Sequence, residues 1–149
     1  MSIQKLMHDD HNYCDELFIA AENLIHQQLW SDAETSMEKF IKATSGHFEH
    51  EENTLFPAFE NTTGMRSGPT EVMRHEHQQI KYLINDLNEA LAERNQQRCI
   101  GLSETLLIFM RQHNMKEEQV LYPMIEQSCS QDADELMKDF VTRESTTNA

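Results

Sequence analysis

The sequence predicts an all-α protein, an antiparallel up-down-up-down four-helix bundle built from two helical hairpins. Three observations favour this fold. The chain has only four glycines and three prolines in 149 residues, and it has few clusters of the β-branched residues that strands prefer. Apolar residues recur at the three- and four-residue steps of a helix face. The same pattern returns 66 residues later, as from His11 to His77, which indicates two copies of one unit.

The first and third predicted helices carry the same apolar stripe, interrupted in each by one histidine. In the first helix the stripe contains Met7, His11, Cys14, Phe18, Ala21 and Ile25. In the third helix it contains Met73, His77, Ile80, Ile84, Leu87 and Leu91. Both stripes advance by alternating steps of four and three residues, so each histidine is predicted to face the interior of the bundle.

The second and fourth predicted helices share the string H-x-x-x-E-E-x-x-L-[FY]-P. It reads HFEHEENTLFP at 47–57 and HNMKEEQVLYP at 113–123. The proline that ends each string removes a backbone donor and crowds the carbonyl four residues back, so it is predicted to kink or end its helix. The repeat unit is therefore a helical hairpin with a histidine on both of its helices.

Capping residues and helix breakers set the predicted boundaries. Ser31 and Glu34 form an S-x-x-E capping box near the start of the second helix, and Asn95 is a cap for the fourth. Between the hairpins, residues 60–70 (ENTTGMRSGPT) contain two glycines and a proline that break the helical register. The bundle is predicted over 1–128. Residues 129–149 are predicted as a short C-terminal fifth helix, DADELMKDFVTRE, and a frayed tail, STTNA.

Charge and cysteine usage exclude several classes of partner. With 26 acidic and 12 basic residues the formal net charge is −14, which repels nucleic-acid phosphates and anionic membranes. The three cysteines are widely spaced and form no C-x-x-C, so neither a disulfide framework nor a zinc knuckle is indicated. No stretch approaches the ~18 apolar residues of a membrane span. We expect a soluble cytoplasmic protein without nucleic-acid or membrane partners, and its oligomeric state stays open.

The repeated histidines and glutamates are predicted to bind metal. Burying such groups on four helices is costly unless a partner replaces their water, and the inward faces of a bundle converge on one axis. The predicted ligands are His11, His47, Glu51, His77, His113 and Glu117. Imidazole and carboxylate donors select iron, zinc or manganese, and without a thiolate they suit two iron ions better than a structural zinc. Both glutamates are predicted to bridge the ions, and an oxo or hydroxo bridge can add to them.

At these residues the chain resembles the hemerythrin family, in its HHE cation-binding branch, over about residues 3–127. The resemblance is carried by DDH at 9–11, HEH at 75–77 and the doubled string. It implies an antiparallel four-helix bundle with a non-haem di-iron centre.

The chain departs from the oxygen-carrying members of this family in two ways. Those carriers place two histidines four residues apart on the third helix, but here Met73 and Lys81 stand four residues either side of His77. Their last motif ends with a carboxylate at i+5, whereas here Glu117 stands at i+4 and Glu118 is the alternative. A set of four histidines and two glutamates is similar to proteins implicated in repairing iron centres after nitrosative or oxidative damage.

Two functions are compatible with this set. The first is a di-iron protein that binds O2 or NO at an open iron position for sensing, storage or delivery. The alternative is an iron donor or redox protein for the repair of iron centres, which needs a separate electron donor or an iron-accepting protein as partner. The absence of a flavin motif favours a binding protein over a turnover enzyme. Six ligand-type residues in one layer disfavour a purely structural bundle.

Other polar residues adjoin the candidate ligands. Three histidines are interpreted as surface or outer residues, with the first as an alternative fifth ligand, namely His8, His50 and His75. Four acids are interpreted as hydrogen-bond partners of the imidazoles or as exposed residues, namely Asp10, Glu52, Glu76 and Glu118. Tyr13, Tyr82 and Tyr122 are interpreted as packing residues, with hydrogen-bond donation to a bound ligand as the alternative.

Overall fold

The computed structural model describes residues 2–138 and 140, and within these residues all regular structure is helical. The α-helices are α1 (Ile3–His26), α2 (Trp30–His50), α3 (Phe56–Thr63), α4 (Pro69–Ala92), α5 (Gln96–Lys116) and α6 (Tyr122–Ser128). Two π-helical turns join α2 to α3 and α5 to α6, at Glu51–Leu55 and Glu117–Leu121. The predicted all-α class is confirmed.

The long helices contact one another in a closed ring. Helix α1 packs on α2, α2 on α4, α4 on α5, and α5 on α1. After α6, the 3-10 turn Ser130–Asp132 leads into a further helical segment at 133–138, where a fifth helix was predicted. The predicted frayed tail, residues 145–149, lies outside the described residues.

The interior is divided into two apolar clusters with a polar layer between them. The first cluster includes Phe18, Phe40, Phe48, Ile80 and Leu106. The second includes Met7, Leu55, Met73, Met137 and Phe140, so the C-terminal segment packs against this end of the interior. Along α1 the chain passes from the second cluster through His11 to the first. The polar layer is therefore covered by apolar side chains on both sides.

Each proline of the repeated string is accommodated by a π turn. Pro57 and Pro123 are the second residues of α3 and α6. A π turn shifts the backbone hydrogen bonds to a spacing of five residues, as in the bond from the Phe56 N–H to the Glu51 carbonyl. The helical path thus continues beyond both prolines. The predicted alternative, that the helices end there, was wrong, because this wider turn relieves the crowding that proline causes.

One of the two predicted helix caps is present. The Asn95 side chain accepts a hydrogen bond from the Arg98 backbone N–H at 3.1 Å, as predicted. Helix α2 instead begins one residue before Ser31 and has no side-chain cap bond. The predicted capping box was wrong, because the Glu34 carboxylate forms an ion pair with Arg94 in the turn of the other hairpin.

The turns inside the two hairpins share an unusual backbone conformation. Gln28 has a φ of 58° and Arg94, its counterpart in the repeat, a φ of 57°. An L-residue in this left-handed region places its Cβ too close to the following carbonyl, at a cost of roughly 1–2 kcal/mol. The break between the hairpins uses Gly64 for the same conformation, with a φ of 77°.

We expect Gln28→Gly to stabilise the protein by about 0.5–1 kcal/mol, because glycine adopts this φ without strain. Thermal unfolding followed by circular dichroism measures the change. Gln27→Gly is the matched control, since Gln27 has an ordinary helical φ of −84° and glycine there should destabilise by a similar amount. Loss of stability in both variants would contradict the strain at Gln28.

Candidate metal centre

The six predicted ligands meet in the polar layer. One histidine comes from each of α1, α2, α4 and α5, and one glutamate begins each π turn. All six residues are at most 4% exposed, namely His11, His47, Glu51, His77, His113 and Glu117. Two subsets have donor atoms that all lie within 4.8 Å of one another: Glu51, His77, His113 and Glu117, and separately His11, His47 and Glu117. The first subset is called the α4/α5 group below and the second the α1/α2 group.

The Glu51 and Glu117 carboxylates lie between the histidine pair of the α1/α2 group, His11 and His47, and that of the α4/α5 group, His77 and His113. Glu51 Oε1 is 3.1 Å from His77 Nε2 and 3.5 Å from His47 Nε2. Glu117 Oε1 is 3.1 Å from His11 Nε2 and 3.3 Å from His113 Nε2. Each glutamate therefore faces one imidazole of the His11 and His47 pair and one of the His77 and His113 pair.

The outer nitrogen of every candidate ligand histidine donates a hydrogen bond to an acid. The Nδ1–H groups of His11, His47, His77 and His113 reach Glu118, Asp10, Glu52 and Glu76 at 2.7, 2.7, 2.6 and 2.8 Å. Such a bond fixes the ring orientation and the tautomer, and it leaves the Nε2 lone pair for a metal. Of the two interpretations of these four acids, as acceptors from the imidazoles or as exposed residues, these hydrogen bonds support the first. Each acid serves a histidine on a different helix.

The buried acids also perturb the histidines. Burial opposes a charged imidazole, but Glu51 and Asp10 together raise the pKa of His47 to about 10. Burial again opposes the charge of His77, and the nearby carboxylates of Glu117, Glu51 and Glu52 raise its pKa to about 11. In the protein without metal these imidazoles hold protons at neutral pH, so a metal ion must displace them to bind.

Several inward atoms lack the partner that burial demands. Glu51 Oε1, His77 Nε2, His113 Nε2 and Glu117 Oε2 are buried and have no hydrogen bond within the described residues. Leaving such groups unpaired costs about 1–3 kcal/mol each. A cation between them satisfies all four atoms at once, and the nitrogen and oxygen donors suit iron, manganese or zinc. The residues present therefore fit a metal ion.

Tyr122 occupies the centre, although the sequence interpretation gave it a packing role. Its side chain is fully buried, and its hydroxyl donates to Glu51 Oε2 at 2.7 Å. The same oxygen lies 3.0 Å from Glu117 Oε1 and 3.2 Å from both His11 Nε2 and His47 Nε2. The ring does pack in the second apolar cluster, as predicted, but the hydroxyl also contacts four candidate ligands. The sequence carried one signal for this position, because the residue before the proline of the string is Phe56 in the first copy and Tyr122 in the second.

The other candidates lie outside the centre. His75 is exposed and His50 packs its ring against Phe140, 4.9 Å between ring centroids. His8 is half-exposed and contacts Glu118, which binds the outer nitrogen of His11. Glu117, at i+4, is therefore the inward carboxylate, and Glu118 is its outer neighbour.

A surface cavity of about 330 Å³ reaches the α1/α2 side of the centre. His11 and Glu118 form its inner wall, and Asp15 and Arg111 are among the residues that line the rest. Burial raises the pKa of the Asp15 carboxyl, and the nearby His11 and Arg111 charges oppose that rise.

We expect Asp10→Asn to weaken metal affinity about 10-fold or more, because the neutral amide supports the His47 imidazole less well than the carboxylate does. A chromophoric chelator competing for the metal measures this affinity. Asp9→Asn is the matched control, since the half-exposed Asp9 forms an ion pair with Lys5 at 3.0 Å on the outer side of α1. Equal affinities of the two variants would contradict the role of Asp10.

None of the helices in the described part of the chain is long and apolar enough to cross a membrane. No curated protein and no solved structure gave a significant match to the chain. The family model of the hemerythrin HHE cation-binding domain matches residues 2–125. That match spans all six residues of the centre and both hairpins. The chain belongs to the hemerythrin HHE cation-binding domain family.

Proposed function

We propose that this protein is a cytoplasmic non-haem di-iron protein that binds O2 or NO at an open iron position, for sensing, storage or delivery. The observation that carries the proposal is the position of Glu51 and Glu117, each facing an imidazole of both groups. In this proposal the helices form an antiparallel up-down-up-down bundle over 1–128, with 129–149 as a C-terminal addition. The closed ring of helix contacts supports that arrangement.

His77 and His113 would hold one ion and His11 and His47 the other, with both glutamates shared. Bound iron supplies a Lewis acid that can change oxidation state and accept a diatomic ligand. The protein supplies a dry pocket. Phe48 stacks on His77 with 3.9 Å between ring centroids, and Phe56 does so at 5.8 Å. These rings exclude water from the α4/α5 side of the centre.

A second candidate function is iron donation or redox chemistry in the repair of damaged iron centres. It is favoured by the missing fifth histidine, because Met73 is buried in an apolar cluster and Lys81 is exposed. With fewer protein ligands, iron is easier to release to an acceptor. This function needs an iron-accepting protein or an electron donor as partner.

The first test is iron content together with the visible spectrum of anaerobically reduced protein, before and after exposure to air or NO. About two irons per chain and a reversible spectral change support the binding function. Two irons with irreversible oxidation, and restored activity of a damaged iron-sulfur enzyme on mixing, would support repair instead. Failure to take up iron on reconstitution would overturn both.

A further inference from the structure

Tyr122 makes the two halves of the centre different. Its counterpart in the first hairpin is Phe56, which has no donor atom and stacks against His77. The Tyr122 hydroxyl oxygen instead lies 3.2 Å from both His11 Nε2 and His47 Nε2. The repeat therefore supplies one more oxygen to the α1/α2 group than to the α4/α5 group.

The Tyr122 hydroxyl faces two carboxylates as well as two imidazoles. It has one proton, and that proton is directed to Glu51 at 2.7 Å, yet Glu117 Oε1 also lies 3.0 Å away. The same Glu117 atom is 3.1 Å from His11 Nε2. Four donor atoms therefore lie close together in the interior: the Tyr122 oxygen, Glu117 Oε1, His11 Nε2 and His47 Nε2.

The spacing of these atoms matches a coordination shell. Donors at right angles on an ion with bonds of about 2.1 Å lie about 3.0 Å apart, from the bond lengths usual for such ions. The separations of the Tyr122 oxygen from Glu117 and from the two imidazoles are 3.0 and 3.2 Å. Tyrosine is also an iron ligand in other proteins.

We propose that the Tyr122 oxygen is a direct ligand of the ion that His11 and His47 hold. This inference rests on the proposed metal-binding function and deepens it. When the ion binds, the phenol O–H bond breaks heterolytically, the proton leaves to solvent, and the oxygen pair forms the bond to the metal. No electron is transferred in this step.

A Tyr122 ligand would give the two ions different numbers of protein donors. With Tyr122, the α1/α2 ion has five protein donors, from His11, His47, Tyr122 and the two shared carboxylates. The α4/α5 ion has four, because Phe56 stands in the corresponding position. With an oxo or hydroxo bridge as a further donor to both ions, the α1/α2 ion would have six donors, and the open position for a small ligand would belong to the ion held by His77 and His113.

The test uses the full chain loaded with iron and oxidised. A phenolate bound to ferric iron absorbs visible light by charge transfer, and resonance Raman excitation in that band enhances the tyrosine ring vibrations. We expect those vibrations in the wild-type protein, with a shift when the tyrosines are ring-deuterated. Tyr122→Phe should lose both the band and the vibrations. Tyr82→Phe is the control and should keep both, because Tyr82 is 70% exposed.

Iron analysis of the same samples separates the two levels of the proposal. Wild-type protein with about two irons and no tyrosine vibrations would overturn the ligand role of Tyr122 and leave the proposed function standing. Tyrosine vibrations that persist in Tyr122→Phe would also overturn the ligand role of Tyr122 and leave the proposed function standing. Wild-type protein that takes up no iron would overturn the proposed function itself. The absence of tyrosine vibrations in iron-loaded wild-type protein needs no variant to observe, so the ligand role of Tyr122 can be overturned even if Tyr122→Phe fails to fold.

Discussion

Glu117→Gln is expected to lower the affinity for iron by more than about 100-fold, a larger loss than an outer hydrogen-bond partner causes. The Glu117 carboxylate is fully buried and faces His11, His113 and His77 at 3.1, 3.3 and 3.9 Å. It is shared by both groups, so its loss affects both ions. Glutamine keeps the shape of the side chain but removes the charge that balances the cations. Iron content after gel filtration and chelator competition measure the effect.

Two control variants locate the effect on this one carboxylate. Glu118→Gln changes the adjacent residue, which binds only the outer nitrogen of His11 within the centre, and it should cost about 10–100-fold. Glu49→Gln changes an exposed glutamate near the end of α2 and should have no effect. A greater loss in Glu118→Gln than in Glu117→Gln would mean that the i+5 carboxylate is the ligand.

Removal of the metal by a chelator is expected to lower the melting temperature by about 5–10 °C. A ligand that binds only the folded state at 100 times its Kd stabilises by about 2.7 kcal/mol, and each kcal/mol shifts the melting temperature of a chain this size by about 2–4 °C. The helices should survive, because the apolar clusters on both sides of the centre do not depend on the ion. Circular dichroism of loaded and chelated protein measures both quantities.

Glu117→Gln provides the comparison for this second prediction. The variant should melt at nearly the same temperature with and without chelator, since it holds little metal. An unchanged melting temperature in the wild-type protein, at an iron occupancy of about two, would show that the ions bind without stabilising the fold.

The repeated stripe predicted the helical class, and together with the doubled string it predicted the six candidate ligands, because an interior-facing position recurs every three to four residues along a helix. Histidines that recur in that row, such as His11 and His77, are therefore visible without a structure. The capping box predicted at Ser31 was wrong, because spacing within one helix does not show which residues elsewhere in the chain contact its end. A cap depends on which partners reach the helix end, and Arg94, on a distant part of the chain, engages Glu34.

Sequence alone thus determined which residue types line the interior of each hairpin, since helical geometry relates spacing to direction within one helix. Only the tertiary structure decided how the hairpins share those residues. Neighbours on a helix point about 100° apart, so Asp10 cannot serve His11 and instead reaches His47 on the next helix. The π turns direct Glu51 and Glu117 between the two groups. Tyr122 lies in the centre only in the folded chain, because its position there depends on where four separate helices meet.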